Sequence, residues 1–451
     1  MKGYGLLIAA LVLAALSGVL YWSNHKKPSD SDVKVSADVP PKILTVPEAE
    51  ITRVDIKRKG QDDVTLAKND AGKWQITAPK ALAADQSSVG SVVSTLSDLS
   101  SERLIEDKAT DLSPYGLAQP TEEVDITLKS NKTQKLLIGD NTPTGNAAYV
   151  AVAGDPRVLT MASYTKTSLD KGANDLRDKR LLTFDSDKLS RVDLDAKKQE
   201  IEFGRNKDQW QIVKPKPLRA DDSKVQELIR KLGDARMDLS GTADDQKKAA
   251  AAFAAGTEVA KAKLTDASGT QELDVRKNKD DYYAKSSVVE GVYKVGSDVG
   301  QALDKSVDDF RNKKLFDFGF NDPEKIEFRD DAKTYYLTKG GQDWWLPDGK
   351  KADAIPAETY LEKVRDLAAS RFVDSGFTTE AMEFTVTPGG GKSVEKVLIA
   401  KNGDRYIAKR ENEPALYELD PAAVKDLQKA AGDLKAAPEP VKPAATGKPK
   451  K

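Results

Sequence analysis

Residues 74–96, WQITAPKALAADQSSVGSVVSTL, reappear in outline at residues 210–232, WQIVKPKPLRADDSKVQELIRKL. Trp74-Gln75-Ile76 becomes Trp210-Gln211-Ile212, Asp85 becomes Asp221 and Ser87 becomes Ser223. The stripe Val89, Val92, Val93, Leu96 becomes Val225, Leu228, Ile229, Leu232, every position displaced by the same 136 residues. One offset held across a tryptophan, a capping residue and a four-point apolar stripe marks an internal duplication. A looser third copy follows: Trp345 lies 135 beyond Trp210, and Leu361 and Val364 lie 136 beyond Val225 and Leu228. The ends of the copies repeat as well, with NDLRDKRLL at 174–182 answered by DDFRNKKLF at 308–316, and the third copy stops near Asp433-Leu434-Lys435. Three tandem units are therefore expected, at 43–184, 185–318 and 319–435.

Each unit opens on period-two alternation, at 51–56 (ITRVDI), 189–194 (LSRVDL) and 325–328 (KIEF), which is the pattern of a half-buried strand. Short runs at 64–67 and 74–77 flank Asn69-Asp70-Ala71-Gly72, a turn whose glycine can take positive φ, so the first strands form an antiparallel meander. Asp85 and Asp221 are placed to cap a helix whose 3, 4, 7 stripe lies on the sheet. More strands are expected at 124–128, 134–138 and 149–152, at 261–264, 272–275 and 282–285, and at 383–387, 394–399 and 405–409. A short helix closes each copy near Leu169, Leu303 and Leu427. The fold class is α+β, each unit an antiparallel sheet with one main amphipathic helix and a short closing helix.

Composition narrows the chemistry. The chain has 451 residues, 71 Lys plus Arg against 72 Asp plus Glu, and a net charge of −1, without the basic surplus usual in a nucleic-acid protein. It has no cysteine, which removes disulfides, thiol nucleophiles and cysteine-bound metals. Its single histidine, His25, follows an apolar run near the N-terminus, where it cannot serve a histidine-dependent site in a folded body.

Residues 6–22 carry no charge, and with Tyr4 and Gly5 they make about 28 Å of helix, close to a bilayer core of about 30 Å. Residues 1–22 are read as a transmembrane anchor, with Tyr21-Trp22 at the interface. A cleaved signal peptide is the rival, because Ala15-Leu16-Ser17 before Gly18 has small residues where a peptidase reads them. Lys26, Lys27, Lys34 and Lys42 follow the span against Lys2 alone before it, so a literal count of positive charge holds the body inside; a short basic start before an apolar span also reads as an uncleaved export signal, and export is the expectation. Ala10, Ala14 and Gly18, spaced by four, set small residues on one helix face where another membrane helix can pack. Residues 23–42 have tether composition, and residues 436–451, rich in Pro, Ala and Lys, are expected to be disordered.

Most chemical motifs dissolve on inspection. Gly389-Gly390-Gly391-Lys392-Ser393 imitates a phosphate loop, but Val386 stands where a glycine is required and a strand is expected to follow, so it reads as a hairpin turn. Three serine–lysine pairs, beginning at Ser163, Ser168 and Ser393, lack both companion motifs of penicillin-binding enzymes. The acidic pairs Asp62-Asp63, Asp221-Asp222, Asp280-Asp281 and Asp330-Asp331 sit beside expected turns, without calcium-loop spacing. Trp74, Trp210 and Trp345 are read as core anchors. Trp344 is expected on the opposite face of its strand, exposed, and is a candidate partner contact. The basic stretches 177–180 and 311–314 read as connectors between units.

The anchor, the tandem units with an Arg-Val-Asp first strand, the Gly72-Lys73-Trp74-Gln75-Ile76 strand and the closing DLRDKRLL at 175–182 together resemble bacterial proteins carrying domain of unknown function 4340. The second copy departs at Asp208-Gln209, before Trp210. The resemblance covers about 43–435. The family has no established activity or catalytic residues, so none is carried over, and no catalytic residue, cofactor or metal is expected. The resemblance implies a non-enzymatic accessory or scaffold protein of the bacterial envelope, single-pass in the cell membrane with a periplasmic body, associated with ABC-transporter subunits of the gliding-motility type. The alternatives are an extracytoplasmic hydrolase using paired carboxylates and an envelope-glycan binder.

Overall fold

The computed structural model describes residues 40–331, 333–390 and 393–438. The expected anchor with Ala10, Ala14 and Gly18, most of the tether and the end of the tail lie outside the described residues. Among the described residues no helix is long and apolar enough to cross a membrane. The chain divides into two compact units, one ending at Asp178 and one beginning at Lys179.

The architecture is α+β, built on three large antiparallel sheets. In the first unit the sheet runs, edge to edge, Leu82–Ala83, Trp74–Ala78, Val64–Lys68, Ile51–Arg58, Glu122–Leu128, Thr133–Asn141, Ala147–Val152, Val158–Ala162 and Arg103–Glu106. In the second unit one sheet runs Leu218–Arg219, Gln209–Lys214, Gln199–Asn206, Arg191–Ala196, Thr257–Asp266, Gly269–Asn278, Asp281–Ser286 and Val292–Val295. The other runs Asp343–Trp345, Lys333–Gly340, Lys325–Asp330, Glu380–Thr387, Glu395–Asn402, Arg405–Arg410, Leu416–Leu419 and Ala369–Val373. In every sheet an early meander and a late meander meet where the first strand pairs with the strand that returns after the helix, as in Val54↔Ile126, Val192↔Leu264 and Ile326↔Val386.

That pairing makes a continuous apolar face, and a helix covers it. The helices Gln86–Ser97 and Asp222–Gly233 bury the two stripes read from the sequence, Val89, Val92, Val93, Leu96 and Val225, Leu228, Ile229, Leu232. The helix Ala354–Asp366 buries Ala357, Tyr360, Leu361 and Val364. Each begins at an aspartate whose carboxylate accepts a first-turn amide: Asp85 from Ser88 at 2.7 Å, Asp221 from Lys224 at 3.3 Å, Asp353 from Ile355 at 3.3 Å. The same aspartates tie down a later stretch of chain through their own amides, which donate to the carbonyls of Leu176, Phe310 and Lys435 at 2.7–2.9 Å. Just before them lie the bridges Ala84↔Arg177, Ala220↔Arg311 and Ala352↔Ala436. The turn at Asn69 forms as its residues suggest, with Gly72 at φ +73° and the Asn69 carboxamide oxygen accepting from Ala71 and Lys73.

Some boundaries move. Lys42, assigned to the tether, starts the strand Lys42–Thr45, which pairs with Asp98–Ser100; its ammonium reaches Asp98 at 2.7 Å. Ala436, assigned to the disordered tail, bridges to Ala352, and the Ala437 amide donates to Lys351, because this segment does for the third sheet what Arg177 and Arg311 do for the others. The strand Val158–Ala162 has no alternation to read, being buried on both faces. The helix Ala243–Ala254 packs against the second sheet and opens on a capping box between Thr242 and Asp245. Leu96, fully buried, sits against the first sheet while Ser94 on the same helix faces water. Leu96→Ala is expected to lower stability by about 2–5 kcal/mol and Ser94→Ala to change it by less than about 0.5 kcal/mol, read from denaturant midpoints at constant slope.

Candidate functional site

A concavity of about 950 Å3 lies in the second unit between the tryptophan edge of one sheet and residues 412–417 of the next. The stub Leu218–Arg219 pairs back onto Gln211 and Ile212, so that Leu218 packs against both the second and the third core and Arg219 reaches the connector. The connector is held on both sides. The Asn312 amide donates to the Arg219 carbonyl, the Leu315 amide to Leu367, and the Ala369 amide to Lys313. Phe310 is buried in the second core, and Leu315 and Phe316 in the third.

Arg219, Asp317 and Glu413 line this cleft, and Arg410, outside its lining, closes them into a ring of four charges. Arg219 lies 2.5 Å from Asp317 and 3.2 Å from Glu413, and it also donates to the Lys314 carbonyl. Arg410 lies 3.3 Å from Asp317 and 2.8 Å from Glu413, and it donates to the Leu315 carbonyl at 2.5 Å. Tyr417 completes the wall by donating to Glu413 at 2.9 Å. Beside the ring the Arg311 guanidinium stacks 3.3 Å over the Phe372 ring and pairs with Asp308. The two guanidiniums bridge these two carboxylates and donate to connector carbonyls, Arg410 also reaches Glu395 at 3.3 Å, and the Arg219 Nε is left without a hydrogen-bond partner. The arrangement is suited to holding two sheets in register.

One of the acidic pairs, Asp221-Asp222, is engaged by backbone amides. Asp221 caps its helix, while Asp222 accepts the Trp210 amide at 3.0 Å and a hydrogen bond from Gln226. In the first sheet Gln86 holds the Trp74 amide in the same way at 2.9 Å. The carboxylates of Asp193, Glu200 and Glu202 approach within 4.8 Å of one another, but Arg191 and Lys214 already sit among them at 2.7–3.1 Å. They belong to a ladder on the uncovered sheet face. Its counterparts are Arg53–Asp55 and Lys57–Glu123 in the first sheet and Lys325–Glu327 and Arg329–Glu383 in the third. This explains the Arg-Val-Asp first strand: the alternation turns valine to the core and pairs the flanking charges on the other side. Gly389 and Gly390 lie in the hairpin between Glu380–Thr387 and Glu395–Asn402, as read.

The expectation for Trp344 is overturned. Trp344 is buried at 6 % exposure in the third core, and Trp345, expected there, is 38 % exposed. The reason is strand register. Lys68 faces Trp74, Arg205 faces Trp210 and Lys339 faces Trp344, each cation lying 4.8–5.9 Å from the ring it covers. Trp344 is thus the structural equivalent of the other two, and Trp345 is the aromatic offered to solvent.

One buried acid went unanticipated. Glu122 is 3 % exposed and neither carboxylate oxygen has a hydrogen-bond partner. Burial pushes its carboxyl up to about 7, with Asp170 adding to the rise and Lys166 and Arg58 opposing it. The signal was in the sequence, since alternation along Glu122–Leu128 places Glu122 on the face of Val124 and Ile126.

A family model described as domain of unknown function (DUF4340) matches residues 74–252 and again residues 210–386. The two matches begin at Trp74 and Trp210, the same point in successive sheets. No curated protein and no solved structure matches the chain.

If the charge ring braces the second unit, Arg219→Met lowers its stability by about 1–3 kcal/mol. A double-mutant cycle with Asp317→Asn then leaves a coupling of about 0.5–2 kcal/mol, whereas additive losses show that the pair holds nothing.

Proposed function

From the DUF4340 family, to which this chain belongs, and from the way its sheets are built, we propose a non-enzymatic scaffold of three tandem copies, held to the bacterial cell membrane by residues 1–22. The body is periplasmic and associates with the subunits of an ABC transporter. The observation that carries this reading is the recurrence of a run of seven strands in one order, with different edge strands, and of one closing bridge, at Ala84↔Arg177, Ala220↔Arg311 and Ala352↔Ala436. Within the second unit, a connector that hydrogen-bonds to both of the sheets it separates holds them side by side, an arrangement suited to holding partners in place. Ala10, Ala14 and Gly18 supply the small-residue face for a neighbouring membrane helix. Trp345, with 38 % exposure, takes the outward role first given to Trp344.

Photo-reactive residues placed at Ala10, Ala14 or Gly18 in the full-length protein in cells are expected to capture a transporter subunit. Capture of none, with the protein present in the membrane fraction, removes the accessory reading. Asp221→Asn with Asp222→Asn is expected to complement a deletion strain wherever the protein still folds; total loss of complementation by a folded variant would favour a carboxylate-based hydrolase.

A further inference from the structure

The matching positions of the three sheets isolate Glu122. Strand register pairs Arg58 with Glu122, Ala196 with Ala260 and Asp330 with Met382, each two residues beyond the equivalent apolar pairs Ile56–Val124, Leu194–Ala262 and Phe328–Phe384. Where the first sheet buries a carboxylate, the other two bury alanine and methionine, both under 4 % exposed. The charge is therefore no requirement of the fold.

Its charged neighbours come from one adjacent strand and from the closing helix. Arg58, on the adjacent strand, sends its guanidinium to Asp170 at 3.4 Å and leaves its Nε without a hydrogen-bond partner, although the orphaned carboxylate is on its register partner. The strand on the other flank offers apolar Ile138 opposite Glu122. The closing helix Ser163–Leu169 contributes Lys166, whose ammonium donates to the Gly139 carbonyl at 3.0 Å, and Asp170 is its C-cap. Behind it Gly172 packs so closely on Arg58 that a Cβ there would lie 3.1 Å from the guanidinium, and Asp175 accepts the Gly172 amide at 2.8 Å. From this point the chain runs to the bonds of Leu176 with Asp85 and of Asp178 with Ala83, which end the unit.

We propose that Glu122 is a proton-operated latch on the closing helix: protonated, it stays buried and leaves Arg58 to Asp170; ionised, it draws Arg58 away and frees the helix end and the segment behind it. The proton lost goes to solvent, and no other group changes its covalent state. The sign follows from linkage. The closed form holds a proton up to about pH 7, while an opened, hydrated carboxyl of ordinary acidity releases it near pH 4.5, so closure weakens as pH rises between those values and levels off above them. This latch does not depend on the scaffold reading.

Amide exchange of the full chain, corrected for the intrinsic effect of pH, tests it. Protection over residues 163–176 is expected to fall by about tenfold or more between pH 5 and pH 8, with most of the loss below pH 7. Glu122→Gln and Glu122→Met, the latter copying the third sheet, are both expected to hold protection constant across that range. Two variants are used so that a folding failure of one leaves the other to decide. Constant or rising protection in the unaltered chain, or the same fall in a folded variant, overturns the latch.

Discussion

Everything in this molecule leans on one kind of contact, the antiparallel pairing between the first strand of a sheet and the strand that comes back after the helix. Val54 against Ile126, Val192 against Leu264 and Ile326 against Val386 are all buried, and each pair joins two meanders that are otherwise local hairpins. Without that seam each meander has too little width to bury a helix stripe. With it, the helix Gln86–Ser97 or its counterpart closes a core, and the capping aspartate at its start also anchors a later stretch of chain. One aspartate thus serves the helix with its side chain and the sheet boundary with its amide.

Polar groups are arranged around that seam in two ways. On the uncovered faces, cations and carboxylates of neighbouring strands alternate in ladders, which keep a wide sheet solvated and spend each charge on its neighbour. These exposed pairs contribute little stability individually. In the second unit the ring of Arg219, Asp317, Arg410 and Glu413 is more enclosed and is tied to connector carbonyls, so it constrains geometry where the ladders mainly confer solubility. The cation over each buried tryptophan, from Lys68, Arg205 and Lys339, is a third recurrent device.

Much of this was legible beforehand. The offset of 136 located two helices with their caps and stripes, and alternation located most strands to within a few residues. Legibility failed where a residue's surroundings came from far away in the chain. Val158–Ala162 shows no period because its two faces are covered by different parts of the first unit. Trp344 and Trp345 were interchanged because spacing counts residues along the chain, whereas the hairpin Lys333–Gly340 to Asp343–Trp345 sets which of the two meets Lys339. Glu122 was passed over because the strand was read as 124–128, two residues short of its start, and alternation names the face and says nothing of whether a donor waits there.

The chain's own order of residues determined the class of fold, the recurrence of its parts, the helix starts and the exclusion of cysteine and histidine chemistry, because periodicity, capping and composition act over a few residues. Tertiary structure alone decided which tryptophan is buried, that Asp222 holds the Trp210 amide, that the connector is stitched into both of its neighbours, and that Glu122 lies unpaired beside Arg58. Those outcomes depend on register and on contacts between distant strands. A shift of one residue in pairing exchanges core for solvent while leaving every local pattern unchanged.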